Sequence, residues 1–156
     1  MVFGIVADTH GKMHPGVLGA LVGVDRILHA GDVGDPAILD LLGSVAPVVA
    51  VRGNIDGGIL AAMLPENEVV EAAGAMLYLL HDLAELGVDP KAVGFSAVIT
   101  GHSHVPRIAW KDGVLYLNPG SCGPRRFTLP VTLARLSVSE GALAAEHVTL
   151  VSEGAP

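Results

Sequence analysis

Residues 2–10 read Val2-Phe3-Gly4-Ile5-Val6-Ala7-Asp8-Thr9-His10, an apolar run that ends directly in a polar cluster. Four further apolar runs, at residues 26–30, 47–51, 75–80 and 97–100, are followed by polar residues in the same way. Runs rich in Val, Ile and Leu are typical of strands buried on both faces of a parallel sheet, and ligands gather at the carboxyl ends of such strands. We therefore expect five clusters to converge on one site: Asp8-Thr9-His10, Gly31-Asp32, Gly53-Asn54, His81 and Gly101-His102-Ser103-His104.

The stretches between the first runs favour helices. Residues 14–23 and 35–45 are helix-like, and the second of these begins with Asp35-Pro36, a capping residue followed by a proline suited to the first turn. Residues 83–94 contain Gly87 and Pro90, which predict one short or broken helix. The alternation of strand and helix indicates βαβ units.

After His104 the pattern changes to hairpins. We predict strands at residues 105–110 and 114–117 around Lys111-Asp112-Gly113, and at 131–138 and 143–151 around 139–141. Trp110 and Tyr116 are expected to pair across the first hairpin. The fold class is α/β with α+β character, in which parallel and antiparallel parts share one core, as a mixed sheet or as two packed sheets. We expect one domain over residues 1–156, with 152–156 as a loose tail.

Composition narrows the classes of partner and compartment. The 156-residue chain carries a formal charge of −7, which argues against extended nucleic-acid binding, whereas a small phosphorylated substrate stays open. No apolar run reaches the roughly 20 residues that cross a bilayer, and Asp8 and His10 interrupt any leader-like segment. Cys122, the only cysteine, is compatible with a reducing compartment. We expect a cytoplasmic protein without a membrane partner.

The candidate ligands define a class of metal. Carboxylates, imidazoles and an amide oxygen favour manganese, iron, nickel or zinc, with manganese preferred, over calcium or a structural zinc site. Seven ligands are too many for one catalytic ion. Two divalent ions about 3.5–4 Å apart would use them all and would suit in-line displacement at phosphorus.

The ordered clusters, from Asp8-x-His10 to Gly101-His102-Ser103-His104, resemble the signature of the calcineurin-like metallophosphoesterases. The short length, Gly53-Asn54-x-Asp56 and Asn118-Pro119-Gly120-Ser121 with Pro124-Arg125 are similar to the small bacterial and archaeal phosphodiesterase branch. The resemblance runs from residue 1 to about residue 137. It implies a sandwich of two mixed β-sheets flanked by helices, and a phosphodiesterase acting on a small substrate.

The resemblance also implies a role for each candidate residue. Asp8, His10 and His104 would hold the first metal, and Asn54, His81 and His102 the second. Asp32 would bridge the two metals, and a bridging hydroxide would attack phosphorus. Catalysis would thus run through Asp32, Asn54 and His102, while Asn54 and Arg125 would contact the substrate. The loop from Asn118 to Ser121 would support the centre.

Two positions depart from the pattern. Ile55 stands where many members of the superfamily have a histidine that protonates the leaving group, and Asp82-Leu83 replaces a Gly-His pair common in the small branch. We therefore expect modest turnover that favours leaving groups needing little protonation, with Asp56 holding the metal-ligating side chains rather than transferring protons. His29 is expected to be a buried histidine bonded to backbone, or a residue that orients a ligand.

Other function classes stay open at this point. The same fold serves as a protein-interaction scaffold in a membrane-trafficking complex, and this chain retains every ligand position that such scaffolds partly lose. A metal-dependent exonuclease subunit is disfavoured by the short, acidic chain. A homo-oligomer is compatible with the sequence.

Overall fold

The computed structural model describes residues 1–154 and contains two five-stranded sheets. In the first sheet the strands are β1 (Val2–Val6), β2 (Arg26–His29), β3 (Val48–Ala50), β9 (Val131–Ser139) and β10 (Ala142–Val151). In the second they are β4 (Asn67–Ala72), β5 (Ala75–Leu80), β6 (Ala97–Ile99), β7 (Arg107–Lys111) and β8 (Val114–Asn118). The helices are α1 (Val17–Ala20), α2 (Pro36–Gly43), α3 (Gly58–Met63) and α4 (Pro90–Val93), with a 3₁₀ turn at Leu83–Glu85.

Each sheet mixes parallel and antiparallel pairs. The first has the order β10-β9-β1-β2-β3, with β1, β2 and β3 parallel. The second has the order β4-β5-β6-β8-β7, with β5, β6 and β8 parallel. The predicted two-sheet α/β fold is confirmed. Because parallel strands end at one edge, this topology brings the loops after β1, β2, β3, β5 and β6 together.

Apolar residues fill three layers. The layer between the sheets includes Phe3, Ile5, Leu77, Ile99 and Leu117, all buried. A second layer joins the first sheet to the helices, and a small outer cluster covers part of the second sheet around Val98. Burial on both faces explains the unbroken apolar run of β1.

The helices match the prediction in part. Helix α2 lies within the predicted stretch, and the Asp35 carboxylate caps it by accepting the Ala37 N–H at 2.9 Å. Helix α1 is much shorter than residues 14–23, since glycines interrupt the stretch and Gly23 has φ +88°. The segment 83–94 is broken, as its glycine and proline predict. No helix among residues 1–154 is long and apolar enough to cross a membrane.

Strand β4 and helix α3 were not predicted from the sequence. Only Val70 of β4 is buried, so this edge strand lacks a continuous apolar run. Helix α3 has six residues and a single buried side chain, Leu60, which leaves no periodic signal.

Both predicted hairpins form. In the first, Asp112 and Gly113 have φ values of +52° and +80°, the left-handed conformations that a two-residue hairpin turn needs. The predicted pairing of Trp110 with Tyr116 is wrong, because the register places Trp110 opposite Leu115 and Tyr116 opposite Ala109. The two rings therefore lie on opposite faces of the hairpin.

The end of the described chain makes two hydrogen bonds to an earlier loop. The Ser152 carbonyl accepts a hydrogen bond from the Arg125 guanidinium at 3.1 Å, and the Gly154 N–H donates to Thr128 O at 2.8 Å. Two hydrogen bonds thus connect residues 152–154 to the loop after Ser121. Residues 155–156 of the predicted loose tail lie outside the described part, and the looseness of the tail stays a prediction.

Candidate metal centre

All seven predicted ligand residues lie at the carboxyl edge of the parallel strands. Asp8 and His10 follow β1, Asp32 follows β2 and Asn54 follows β3. His81 follows β5, and His102 and His104 follow β6. The first sheet therefore supplies the oxygen ligands and one imidazole, while the second sheet supplies three imidazoles across the cleft.

The side chains form two adjoining groups. Asp8, His10 and His104 form one, Asp32, His81 and His102 form the other, and one ligand atom from each residue lies within 4.8 Å of the others in its group. Asp32 Oδ2 lies between the groups, 3.5 Å from His10 Nε2 and 3.3 Å from His81 Nε2.

Asn54 belongs to the second group. Its Oδ1 lies 3.0 Å from His81 Nε2 and 3.2 Å from His102 Nδ1. The Asn54 side chain is exposed, and its amide nitrogen donates no hydrogen bond to any residue in the described chain. It is therefore free to donate to a bound oxygen.

Most ligand residues adopt a backbone conformation that is unusual for residues with a side chain. The φ values lie between +48° and +71° at Asp8, His10, Asp32, His102 and His104. This left-handed region costs of order 1 kcal/mol or more per residue and persists only where the surroundings enforce it. Here the enforcing contacts include Asp8 N–H to Gly31 O at 3.0 Å and His10 N–H to Asp32 O at 2.9 Å.

Two glycines allow the loops to approach one another. A Cβ at Gly31 would lie 2.7 Å from His81 Nδ1, and a Cβ at Gly53 would overlap the Asp32 carboxylate and backbone nitrogen. A residue without a side chain before Asp32 would, on sequence grounds alone, be expected to leave space for an ion beside the carboxylate. The structure gives a different reason, since the space is filled by the His81 ring.

The protonation state of His81 indicates a cation position. Its Nδ1 lies 2.7 Å from Ala30 O, and because a carbonyl only accepts, Nδ1 carries the proton. Nε2 of the neutral ring is then a bare acceptor that faces two oxygens, Asn54 Oδ1 and Asp32 Oδ2. Such an arrangement needs a cation or a second proton. Although burial works to lower the pKa of His81, the bond to Asp32 raises it above its ordinary value.

Asp8 gives a second, independent indication. Its carboxylate is fully buried, and burial raises its pKa to about 7. Within residues 1–154, Oδ1 of Asp8 and Nδ1 of His104 are buried side-chain atoms without a hydrogen-bond partner. Burial also lowers the pKa of His104 to about 4, so this imidazole stays neutral. A buried anion beside neutral imidazoles fits a metal ion.

Asp32 has the opposite electrostatic character. Burial works to raise its pKa, but the protonated form of His81, which would donate from Nε2, and the Ile55 N–H, at 3.0 Å from Oδ1, bring it below the ordinary value. Asp32 therefore stays ionised, as a residue shared between two cations would have to be.

A set of buried hydrogen bonds holds the ligand loops. The Asp56 carboxylate accepts N–H groups from Val33 at 3.0 Å, Gly34 at 2.9 Å and Gly53 at 2.9 Å, which ties the Asp32 and Asn54 loops together. This agrees with the holding role expected for Asp56. Asn118 donates to Gly101 O at 2.8 Å, and Ser121 donates to Asp8 O at 2.9 Å.

His29 is buried and takes part in the same support. Its Nδ1 accepts the Gly31 N–H at 3.1 Å, and its Nε2 lies 3.0 Å from Thr9 Oγ1, which donates to Val33 O. Burial lowers the pKa of His29 to about 4. As expected, the residue bonds to backbone and connects the loops after β1 and β2.

The two arginines of the loop after Ser121 differ in position. Arg125, the predicted substrate contact, donates from Nε to Leu129 O at 3.0 Å and from its terminal nitrogen to Thr128 and Ser152 carbonyls. These contacts anchor the loop and occupy the guanidinium. Arg126 is exposed, and its positive charge is a secondary influence on the centre: burial is the main cause of the raised pKa of Asp8 and of the lowered pKa values of His10 and His104, and the Arg126 charge opposes the first shift and adds to the other two. Of the two arginines of this loop, Arg126 is therefore the one whose charge acts on the centre.

Asp82 was noticed in the sequence only as a departure from a pattern. In the structure its Oδ1 accepts the Ala84 N–H at 3.0 Å, which fixes the carboxylate, and its Oδ2 lies 3.8 Å from His102 Nε2. His102 thus has one ring nitrogen towards the centre and the other towards a carboxylate, an arrangement that orients metal-binding histidines.

The fold and the site together define a hydrolase of the metal-dependent phosphoesterase class. The chain belongs to the calcineurin-like phosphoesterase superfamily, whose domain model matches residues 1–141, and the resemblance seen in the sequence is confirmed.

Relatives and solved structures agree with this assignment. A probable metallophosphoesterase of Methanocaldococcus jannaschii is 34% identical over 153 residues, covering 90% of this chain and 77% of that protein. The structure of a novel archaeal phosphodiesterase has a TM-score of 0.78 at 23% identity, covering 96% of this chain and 100% of the other. Vps29 of Chaetomium thermophilum also has a TM-score of 0.78, at 20% identity, covering 97% and 99%. The two structural likenesses concern the fold.

Proposed function

We propose that this protein is a phosphodiesterase that hydrolyses a small phosphodiester with two divalent metal ions, manganese being preferred. Asp8, His10 and His104 would hold one ion, and Asn54, His81 and His102 the other. Asp32 would be shared. When bound, the two ions would stabilise the charge that develops on the phosphoryl oxygens and lower the pKa of the attacking water.

One observation carries the proposal. The buried Asp8 Oδ1 has no hydrogen-bond partner within residues 1–154, and the His81 Nε2 faces two oxygens that cannot donate to it. Both features are unfavourable without cations, and each belongs to a different one of the two ligand groups. Two cations, one in each group, would satisfy them together.

The protein groups around the cations divide the remaining work. The free amide nitrogen of Asn54 would donate to a phosphoryl oxygen, and Asp82 would keep the His102 ring in place. Arg126 would add positive charge on the Asp8 side. These groups bind and orient a phosphate, and preorganised charge of this kind contributes much of the rate in phosphoryl transfer.

No side chain at position 55 can protonate the leaving group. Ile55 is exposed, and its contribution to the site is a backbone N–H to Asp32. We therefore expect aryl phosphodiesters to be hydrolysed far faster than alkyl phosphodiesters, because aryloxide ions leave without a proton. Equal rates for the two classes would contradict this part of the proposal.

The test is an assay of metal-stripped protein on bis(p-nitrophenyl) phosphate and p-nitrophenyl phosphate, with and without Mn²⁺. We expect manganese-dependent hydrolysis that prefers the diester and is lost in Asp32→Asn and His102→Ala. Asp40→Asn, a matched change on the exposed side of helix α2, should keep full activity.

A protein-interaction scaffold is the second candidate. The fold likeness to Vps29 supports it, and the complete set of ligand residues argues against it. Absence of turnover with Mn²⁺, Fe²⁺, Ni²⁺ and Zn²⁺ in a folded protein would favour the scaffold.

A further inference from the structure

We propose that a groove beside His102 binds one ester group of the phosphodiester and selects an aromatic group that carries a negative charge. This inference rests on the proposed function, which it deepens by naming the class of substrate. It concerns residues outside the ligand set.

The groove has a volume of about 270 Å³. It lies between the turn after β5 and the segment after β6, above the end of β8. Its walls are formed by Asp82 and Leu83 on one side, by His102, Val105 and Arg107 on the other, and by Tyr116 below. The volume is near the lower limit of small-molecule pockets, which suits a single ring.

His102 connects the groove to the metal centre. Its Nδ1 lies 3.2 Å from Asn54 Oδ1 in the centre, whereas its Nε2 lies 3.8 Å from Asp82 Oδ2 in the groove wall. The imidazole is 47% exposed, so its ring forms the passage between the two. A phosphate in the centre can therefore extend an ester group into the groove.

The middle of the groove is apolar. Leu83 and Val105 are 38% and 47% exposed, although both are aliphatic side chains next to a polar centre. Tyr116 adds a partly buried ring that belongs to the outer apolar cluster. A planar apolar group bound here would remove these two aliphatic side chains and the ring from water, and this burial of apolar surface would stabilise the complex.

The lining of the groove includes one positively charged side chain, that of Arg107. Arg107 is exposed at the start of β7, and no carboxylate of residues 1–154 lies within 4.0 Å of its guanidinium. The one acidic residue in the wall, Asp82, is already occupied by the Ala84 N–H and His102. The free guanidinium therefore favours a carboxylate or a phosphate on the bound ring.

Phosphonates give a direct test, because their C–P bond is not hydrolysed and each carries a single organic group. We would measure binding of methylphosphonate, phenylphosphonate and 4-carboxyphenylphosphonate to the manganese-loaded full chain by calorimetry. The expected order is 4-carboxyphenyl tightest and methyl weakest, with at least a tenfold span. In the zinc-loaded protein, which is diamagnetic and therefore gives sharp signals near the centre, the amide signals of Leu83 and Val105 should shift with the aryl ligands alone.

Variants separate the two parts of the groove. Arg107→Leu should bring 4-carboxyphenylphosphonate to the affinity of phenylphosphonate, and Val105→Asp should remove the advantage of both aryl ligands. Lys111→Leu removes a positive charge from the same face of β7, roughly 14 Å away along the strand, and should change nothing. All three positions are exposed, so thermal unfolding should be unaltered.

The outcomes distinguish this inference from the proposed function. Manganese-dependent turnover with equal binding of all three phosphonates would overturn the groove and keep the phosphodiesterase. An advantage of the carboxylate that survives Arg107→Leu would overturn the charge selection. Absence of both turnover and phosphonate binding would overturn the proposed function itself.

Discussion

Replacement of Asp8 by asparagine should make the metal-free protein more stable, which is the reverse of the usual effect at a buried polar residue. The Asp8 carboxylate is 0% exposed, and its Oδ1 has no hydrogen-bond partner within the described chain. Burial raises its pKa from 3.8 to about 7. The folded state therefore binds a proton that the unfolded state releases, and ionisation at higher pH disfavours folding.

The size of the effect follows from the pKa difference. A rise of about three pKa units corresponds to about 4 kcal/mol of lost stability at pH 8, where both states are ionised. At pH 5 the folded carboxyl is protonated and the unfolded one is ionised, so about 1.5 kcal/mol of that penalty remains. Because the asparagine amide cannot bond as well as the protonated carboxyl at this buried position, we expect Asp8→Asn to raise the free energy of unfolding by about 2–4 kcal/mol at pH 8.

Urea denaturation in EDTA at pH 8 and pH 5 would measure this gain, which should be at least halved at the lower pH. Asp32→Asn is the contrasting variant. The pKa of the Asp32 carboxyl is lowered in the folded state, so its ionised form stabilises the wild type at pH 8, and this stabilisation is lost on acidification. Asp32→Asn should therefore be less stable than wild type at pH 8. Mn²⁺ should stabilise the wild type and not Asp8→Asn. The reasoning is refuted if Asp8→Asn is no more stable than wild type at pH 8, or if its gain does not depend on pH.

Three further predictions concern the surroundings of the centre. Asp56→Ala leaves three N–H groups without their acceptor and should lower the free energy of unfolding by about 3 kcal/mol or more. The exposed control Asp40→Ala should lower it by less than about 0.5 kcal/mol, and similar melting curves for the two variants would contradict the holding role of Asp56. Gly53→Ala places a Cβ against the Asp32 carboxylate, so Mn²⁺ affinity measured by calorimetry should fall by about tenfold or more, and an unchanged affinity would show that the loop can move aside. Cys122 is fully buried and its pKa is raised to about 12 by burial, so it should not react with a thiol reagent at pH 8 until the protein is unfolded in urea.

Strand β1, helix α2 and the first hairpin turn were predicted correctly, because neighbouring residues in the sequence are enough to favour each of them. The run Val2–Val6 is buried because both of its faces pack, and Asp35-Pro36 starts a helix through a cap and a fixed φ. The Asp112-Gly113 turn adopts positive φ values that few other pairs tolerate. Strand β4 has no such signal, since as an edge strand it exposes most of its side chains and is held by pairing with β5.

The position of the site could be predicted, whereas its internal contacts could not. The ligand types and their places after apolar runs were readable because carboxyl ends of parallel strands share one edge. The reason for a glycine at position 31 could not be read from the sequence, because nothing local shows that the His81 ring approaches it. The carboxylate of Asp82 near His102 and the anchoring of Arg125 to Ser152 likewise join parts of the chain that are 20 and 27 residues apart.

The amino-acid sequence by itself determined the family and the residue types that gather at the strand ends, because these follow from patterns within a few residues. The patterns left one mixed sheet or two packed sheets open, and the two-sheet architecture was implied by the family resemblance. Only the tertiary structure decided that Asp8 meets His104 and that Asp32 lies between two groups of ligands. It also decided that a groove with a free arginine adjoins His102. Such contacts depend on the order in which strands pair, which places residues from distant parts of the chain in a shared buried environment. Burial then sets the pKa of each group, and no local pattern contains that information.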